Sequence, residues 1–121
     1  TFISDAVCLT ACKLAESTNA DALIGMTQSG YTAFMLSSYR PKSNLFIFTK
    51  ERTLVNQLSL SWGVRAFYYS EEESLDEIIS DQIKILKERG FLQKGEVVVN
   101  TCSTPVELHL PTNTIKVSTV E

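Results

Sequence analysis

Helix-type and strand-type patterns alternate along this chain from one end to the other. Short, largely apolar runs of the kind that form buried strands occur at 22–27, 45–48, 64–69 and 97–99. Helical patterns separate them, at 3–17, 29–39, 51–62 and from Ser74 to Gly90. Because buried strands joined by helices lie side by side in the same direction, this order predicts a parallel sheet that is covered on both faces.

The last part of the chain departs from this alternation. No helix fits between the run at 97–99 and the segment 114–120, because Pro105 and Pro111 fall within a short connection. Residues 115–118 alternate apolar and polar side chains, as a half-exposed strand does. We therefore predict an α/β fold, a three-layer α/β/α sandwich whose mostly parallel five-stranded sheet has its last strand antiparallel at an edge.

The helix after the third strand has the clearest start and stop signals. Ser74 and Glu77 have the spacing of a capping box, and Gly90 has the position of a C-terminal cap. Its predicted apolar stripe consists of Leu75, Ile78, Ile79, Ile83 and Leu86.

The other helices have weaker boundary signals. Pro41 ends the second helix, since the residue before a proline is pushed out of the helical region, and Gly63 suits a cap for the third. The predicted inward side of the first helix is Ile3, Val7, Ala11 and Leu14. That of the third helix is Leu54, Val55, Leu58 and Trp62.

Length and charge restrict the class of protein. A chain of 121 residues with 44% hydrophobic and 21% charged residues predicts one globular domain over residues 1–121. A formal net charge of −3 argues against a nucleic-acid-binding face, which is normally basic. The apolar runs are too short to span a membrane, so no membrane partner is expected.

The cysteines indicate reduced thiols. Cys8, Cys12 and Cys102 are odd in number and have no framework spacing, which favours a cytoplasmic location. The single histidine, His109, has no partner ligands near it in the sequence, so we expect no metal site and no cofactor in this domain.

Hydroxyl side chains stand where the predicted strands end. In parallel sheets ligands bind beyond the carboxyl ends of the strands. The residues at those ends are Thr27, Thr49, Ser70 and Thr101. None is a general base or a metal-ligating carboxylate, whereas hydroxyls and free backbone amides suit an anion such as phosphate.

The segment that follows the first strand gives the clearest local indication of a binding site. Thr27, Gln28, Ser29, Gly30 and Thr32 run from a buried strand into a helix start, where unpaired amides and the helix dipole favour an anion. A simple N-cap at Ser29 explains the same residues equally well.

Three enzymatic interpretations each lack a required group. The GxxxxGK[ST] phosphate loop is absent. A phosphatase that used Cys102 as nucleophile would require an arginine six residues later, where the chain has Leu108. A receiver domain needs clustered carboxylates at its strand ends, and none are present there.

Taken together, the motifs resemble one family. The segment 27–32 followed by Tyr39-Arg40-Pro41 resembles the T-x-S-G-x-[ST] … Y-R-P segment of the pyruvate kinase C-terminal domain. Similar matches are Ser4-Asp5-Ala6-Val7, Trp62-Gly63-Val64, Arg89-Gly90-Phe91, Lys94-Gly95-Glu96 and the closing 112–117. They cover nearly the whole chain in the family's order.

The resemblance implies a regulatory and subunit-assembly domain. The parent enzyme transfers a phosphoryl group from phosphoenolpyruvate to ADP in glycolysis, with Mg²⁺ and K⁺, in barrel and lid domains that are not in this chain. This domain by itself is then inactive. Its implied partners are the barrel domain, further copies of the same subunit and an allosteric sugar phosphate or nucleotide.

The effector residues carry over only in part. The resemblance assigns Thr27, Gln28, Ser29, Gly30 and Thr32 to one phosphate of fructose 1,6-bisphosphate, and it makes Ser103, Thr104, Glu107 and His109 a candidate effector loop. Where responsive relatives have a tryptophan and an arginine, this chain is acidic or apolar. Because Glu107 repels a second phosphate, we expect a monophosphate ligand or a vestigial site. A stand-alone phosphate-sensing or protein-binding module of the same fold is the alternative.

Overall fold

A computed structural model describes residues 2–27, 29–61, 63–70, 74–103 and 112–121. Their helices are α1 (Phe2–Ser17), α2 (Tyr31–Ser38), α3 (Arg52–Leu58) and α4 (Leu75–Glu88). Their strands are β1 (Ala22–Met26), β2 (Asn44–Thr49), β3 (Val64–Tyr68), β4 (Val97–Cys102) and β5 (Thr114–Thr119). None of these helices combines the length and the apolar character that crossing a membrane requires.

The strands form one sheet in the order β3-β2-β1-β4-β5. The first four are parallel, and β5 is antiparallel to β4 at the edge. The predicted fold class is therefore confirmed. Because the chain moves outward from β1 to β2 and later returns to place β4 on the other side of β1, the order of strands reverses between β1 and β4. In open α/β sheets a ligand crevice forms at such a point, beyond the carboxyl ends of the strands.

Two apolar clusters cover the two faces of the sheet. On one face α1, α2 and α3 pack over strand residues that include Leu23, Ile47 and Val99. On the other face α4 packs over Ile24, Phe46 and other buried side chains. The sheet is thus the middle of three layers, as the sequence predicts.

The buried side of α1 differs from the prediction. Its buried residues are Ser4, Cys8, Ala11 and Ala15, whereas Ile3 is 64% exposed and Val7 and Leu14 are half-buried. The side chains turned inward are all small, so the helix can approach the sheet and α2 closely. Close packing therefore outweighs the larger apolar area of Ile3.

Two helices are shorter than predicted. α2 begins at Tyr31, because Gly30 adopts a left-handed conformation (φ 91°) as its N-cap. α3 ends at Leu58, and the N–H groups of Leu60 and Ser61 then donate to carbonyls three residues back. These bonds tighten the chain into a turn before Gly63, so this glycine lies beyond the helix end and does not cap it. Trp62 lies outside the described residues.

β4 is longer than predicted and continues to Cys102. Asn100, Thr101 and Cys102 pair with β5 on one side, and the first two also pair with β1. The apolar run of the sequence marks only 97–99, whereas pairing with β5, and with β1 as far as Thr101, continues the strand through these polar residues.

The predicted signals of α4 are confirmed at both ends. Ser74 is the N-cap, and its hydroxyl accepts the N–H of Glu77. Gly90 has φ 83°, and the N–H groups of Gly90 and Phe91 donate to Lys87 and Leu86, which is the Schellman pattern. The buried side chains are Ile78, Ile79, Gln82 and Leu86. Three of these were predicted for the apolar stripe. The buried polar residue Gln82 was not predicted, and the predicted Leu75 and Ile83 are only half-buried.

Candidate functional site

The predicted phosphate turn lies at the carboxyl end of β1, beside the point where the strand order reverses. Thr27 is buried directly after the strand, and its backbone N–H donates to the carbonyl of Phe48 on β2. The turn therefore begins from a fixed position on the sheet.

Gly30 gives this turn its shape. The Gly30 N–H donates to Thr27 Oγ1 at 2.9 Å, which closes the turn from inside. A Cβ at Gly30 would lie 3.1 Å from Leu54 Cδ1, and its φ of 91° is one that other residues rarely adopt. Glycine is therefore required at this position for both space and conformation.

The first turn of α2 presents amide groups at the same place. Ser29 is exposed, and its Oγ accepts the N–H of Tyr31 at a long 3.4 Å. The first N–H to enter the helix ladder is that of Phe34, which donates to Gly30. The N–H groups of Thr32 and Ala33 therefore precede the ladder, as the early donors of any helix do. A small anion beside Ser29 would receive these donors and the positive end of the helix dipole.

Thr32 faces inward and joins the turn to the far end of the chain. Its Oγ1 lies 2.8 Å from Thr112 Oγ1 in a buried contact. Ser4 on α1 donates from its hydroxyl to the Thr112 carbonyl at 3.3 Å. Three distant segments thus meet behind the turn, and the Thr32 hydroxyl is already engaged in holding them.

Tyr31 joins the same turn to α1. Its phenol donates a hydrogen bond to the Asp5 carboxylate. This bond is the largest cause of a raised pKa of Tyr31, and desolvation and the charge of Asp5 act in the same direction. The contact also places an acidic side chain near the start of α2.

The other predicted strand-end hydroxyls are largely engaged in local structure. Thr49 Oγ1 accepts the N–H of Glu51 at 3.2 Å, and Thr101 Oγ1 donates to the Ile24 carbonyl at 3.3 Å. Ser70 is exposed. Among the four residues, Thr27 is the one that shapes the candidate turn.

The predicted effector loop is described only at its start. Ser103 is half-buried after β4. Thr104, Glu107 and His109 lie outside the described residues, as does Gln28 of the turn. The residues that the structure brings to the turn in their place are Ser4, Asp5 and Thr112. The sequence includes all three in family-like motifs, but nothing local assigns them to the turn, because their contacts span 26 to 108 positions of chain.

The thiols are free, and they are not activated. Burial, as the largest cause, raises the pKa of Cys8, Cys12 and Cys102 to about 11. A nucleophilic cysteine needs the opposite shift. Over the described ranges, no three His, Cys, Asp or Glu side chains are grouped so that they could hold a metal ion.

Comparison with known proteins gives a consistent result. The family model for the pyruvate kinase alpha/beta domain matches residues 5–118. The chain is 36% identical over 118 residues to the pyruvate kinase of Clostridium acetobutylicum and 31% identical over 121 residues to pyruvate kinase 2 of a Synechocystis strain. These alignments cover 98% and 100% of this chain but 25% and 20% of the two relatives.

A solved structure extends the likeness to the fold. A pyruvate kinase from Cryptosporidium parvum superposes with a TM-score of 0.87 at 21% identity. The match covers 98% of this chain and 23% of that one. The chain thus spans about a fifth to a quarter of the length of these three proteins.

Proposed function

This chain belongs to the pyruvate kinase alpha/beta domain family, and from that premise we propose that it is the C-terminal regulatory and assembly domain of a pyruvate kinase. We propose that the complete enzyme converts phosphoenolpyruvate and ADP to pyruvate and ATP in glycolysis, in the cytoplasm. Fractionation of the source cells tests the compartment, since a tobacco relative is named as chloroplastic.

We assign the chemistry of the enzyme to barrel and lid domains outside this chain. The described residues hold no cluster suited to a metal ion, and all three thiols have raised pKa values. We place the Mg²⁺ and K⁺ that the family implies for the complete enzyme in those domains as well. The domain alone is expected to be inactive.

The observation that carries the regulatory proposal is the shape of the 27–32 turn. It combines the Gly30 backbone, the exposed Ser29 hydroxyl and the early amides of α2 at the reversal point of the sheet. Each of these features favours a phosphate oxygen. We propose that one phosphate of an effector binds here.

A monophosphate is the favoured class of effector. The contacts described for the turn come from hydroxyl groups and from Asp5, whose negative charge opposes added negative charge nearby. Glu107 belongs to the candidate effector loop that the resemblance assigns, and its negative charge would also oppose a second phosphate. A sugar monophosphate or a nucleoside monophosphate therefore fits better than a bisphosphate.

Assembly is proposed to use the open edge of the sheet. β5 has one neighbour, β4, and Lys116 and Val117 are exposed on it. An edge strand with unpaired backbone groups can pair with its copy in another subunit. On α1 and α2, Phe2, Ile3 and Phe34 are 87%, 64% and 66% exposed. This apolar surface supports a further contact, for which the barrel domain is our proposed partner.

Calorimetric titration tests the effector proposal directly. The chain is titrated with ribose 5-phosphate, glucose 6-phosphate, AMP and fructose 1,6-bisphosphate, and wild type is compared with Ser29→Glu. This exposed position takes the new charge without burying it, and the charge should abolish binding. Ser80→Glu, an equal change on the exposed side of α4, should bind like wild type.

The possible outcomes separate regulation from assembly. Binding of one monophosphate, lost in Ser29→Glu only, supports the effector site. No binding by any of the four, with the fold intact by circular dichroism, contradicts it. Assembly is tested by light scattering of the complete enzyme, where a monomer would refute the edge-strand proposal.

A further inference from the structure

A groove of about 420 Å³ lies near the amino ends of β1 and β2, whereas the candidate turn lies at the carboxyl end of β1. It runs between the last half of α1 and the connection from α2 to β2. The residues that line it include Leu9, Cys12, Lys13, Glu16 and Tyr39. Its volume lies within the usual range for small-molecule sites, which is roughly 300–1,000 Å³.

The groove has a charge opposite in sign to that of the whole chain. Its lining has three cations, Lys13, Arg40 and Lys42, and one carboxylate, Glu16, for a net charge of +2. The whole chain carries −3. The C-terminal ends of α1 and α2 oppose an anion here by about half a charge each, which the cations outweigh.

Arg40 has an unfavourable backbone conformation at the rim of this groove. It follows α2 with φ 47°, and its N–H donates to the Ser37 carbonyl at 3.0 Å. Helices commonly end with glycine or asparagine in this conformation, and Asn19 fills the equivalent place after α1. An arginine there costs about 1 kcal/mol more than glycine. Strain of this kind at a non-glycine residue is often kept for function.

The wall of the groove is apolar, whereas its rim is charged. Leu9 and Tyr39 are each 37% exposed, and Cys12, Ala15 and Pro41 complete this side. The Ser43 hydroxyl donates to the Ala20 carbonyl at 2.7 Å, which fixes the rim segment to the end of α1. The groove therefore combines a preformed apolar wall with a cluster of cations.

We propose that this groove is a second ligand site, which binds a small molecule that carries a phosphate monoester and a flat apolar body. A phosphate monoester has a charge of about −1.5 to −2 at neutral pH, which matches the +2 of the lining. The apolar body would lie against Tyr39 and Leu9. The site is separate from the 27–32 turn, since the two lie at opposite ends of α2.

The test is a residue-resolved NMR titration of the chain with phenyl phosphate. Inorganic phosphate and phenol, the two halves of this probe, are titrated separately. Phenyl phosphate should shift the amides of Leu9, Tyr39 and Ser43 with saturation. Phosphate alone should bind at the same place more weakly, and phenol should not saturate.

A pair of variants separates specific binding from bulk charge. Lys42→Glu reverses a cation in the lining and should weaken binding about tenfold. Lys84→Glu makes the same change on the exposed side of α4, on the other face of the sheet, and should leave binding unchanged. Equal loss in both variants would refute the proposal, because it would show a bulk charge effect.

The two phosphate proposals fail in distinguishable ways. Shifts centred on Gly30 and Thr32 and abolished by Ser29→Glu would place the probe at the effector turn and overturn the groove proposal. No saturation at either place up to about 10 mM phenyl phosphate would also overturn it. Binding in the groove that survives Ser29→Glu supports it whatever the effector titrations give.

Discussion

The hydroxyl oxygens of Thr32 and Thr112 lie 2.8 Å apart in a buried contact between residues that are eighty positions apart in the chain. Replacing Thr32 by Val keeps the shape of the side chain but leaves the Thr112 hydroxyl without this partner. A buried polar group that loses its hydrogen bond costs about 1–3 kcal/mol. We expect Thr32→Val to lower the free energy of unfolding by that amount, as measured by urea denaturation.

A double-mutant cycle checks that the contact is the cause. Thr112→Val alone should also destabilise, and the double variant should lose less than the sum of the two single changes. Strict additivity would mean that the two hydroxyls do not interact in solution.

Gly30→Ala should destabilise more than Gly90→Ala. Both glycines have positive φ, at 91° and 83°, so both substitutions introduce about 1–2 kcal/mol of backbone strain. A Cβ at Gly30 also approaches Leu54 Cδ1 to 3.1 Å, whereas a Cβ at Gly90 meets nothing within 4 Å. Urea denaturation gives the free energy of unfolding of each variant, and the difference between them measures the effect of this contact. An equal loss of stability in both variants would show that the contact has no effect.

Ser74→Ala should cost about 1 kcal/mol, because the start of α4 loses its side-chain cap. Ser80→Ala is the matched change at an exposed position inside the same helix. It should be neutral or slightly stabilising, since alanine favours the helix interior. If thermal denaturation gave equal losses for both, the cap would not contribute.

Stability should fall as the pH rises above about 9. Burial raises the pKa of Cys8 and Cys102 from 9.0 to about 11. The unfolded chain therefore releases these protons at lower pH than the folded chain, so the stabilisation is complete below pH 9 and is lost toward pH 11. Tyr31, with its raised pKa, acts in the same direction.

Urea denaturation at about pH 7, 9 and 10 measures this alkaline loss, with the last value roughly midway in the expected window. A Cys8→Ala, Cys102→Ala double variant should show a shallower decline than wild type. An unchanged slope in the variant would assign the pH dependence to other groups.

Local rules predict α4 well and α1 poorly. The cap at Ser74 and the left-handed Gly90 are decided within a few residues, so the sequence alone reveals them. The buried side of α1 depends on how closely neighbouring elements approach. The apolar character of Ile3 predicts that it is buried. Instead, small side chains such as Ser4 and Cys8 are buried, because α1 lies close to its neighbours.

The candidate site divides in the same way. The sequence indicates Gly30 and the turn around it, because a strand exit, a glycine and a helix start are adjacent in the chain. It gives no sign of the contacts from Asp5 to Tyr31 and from Ser4 to Thr112, which follow only from the placement of α1 beside the sheet. Long-range hydrogen bonds of this kind have no periodic or spacing signal.

The position of α1 has a mechanical consequence. Its 16 residues make a rod of about 24 Å. Ser4 and Asp5 hold one end near the candidate turn, and Lys13 and Glu16 line the groove near the other. Cys8 and Ala11 press the middle of the rod against its neighbours. Because its buried side is packed along its length, from Ser4 to Ala15, the helix links the candidate turn to the groove as one stiff element.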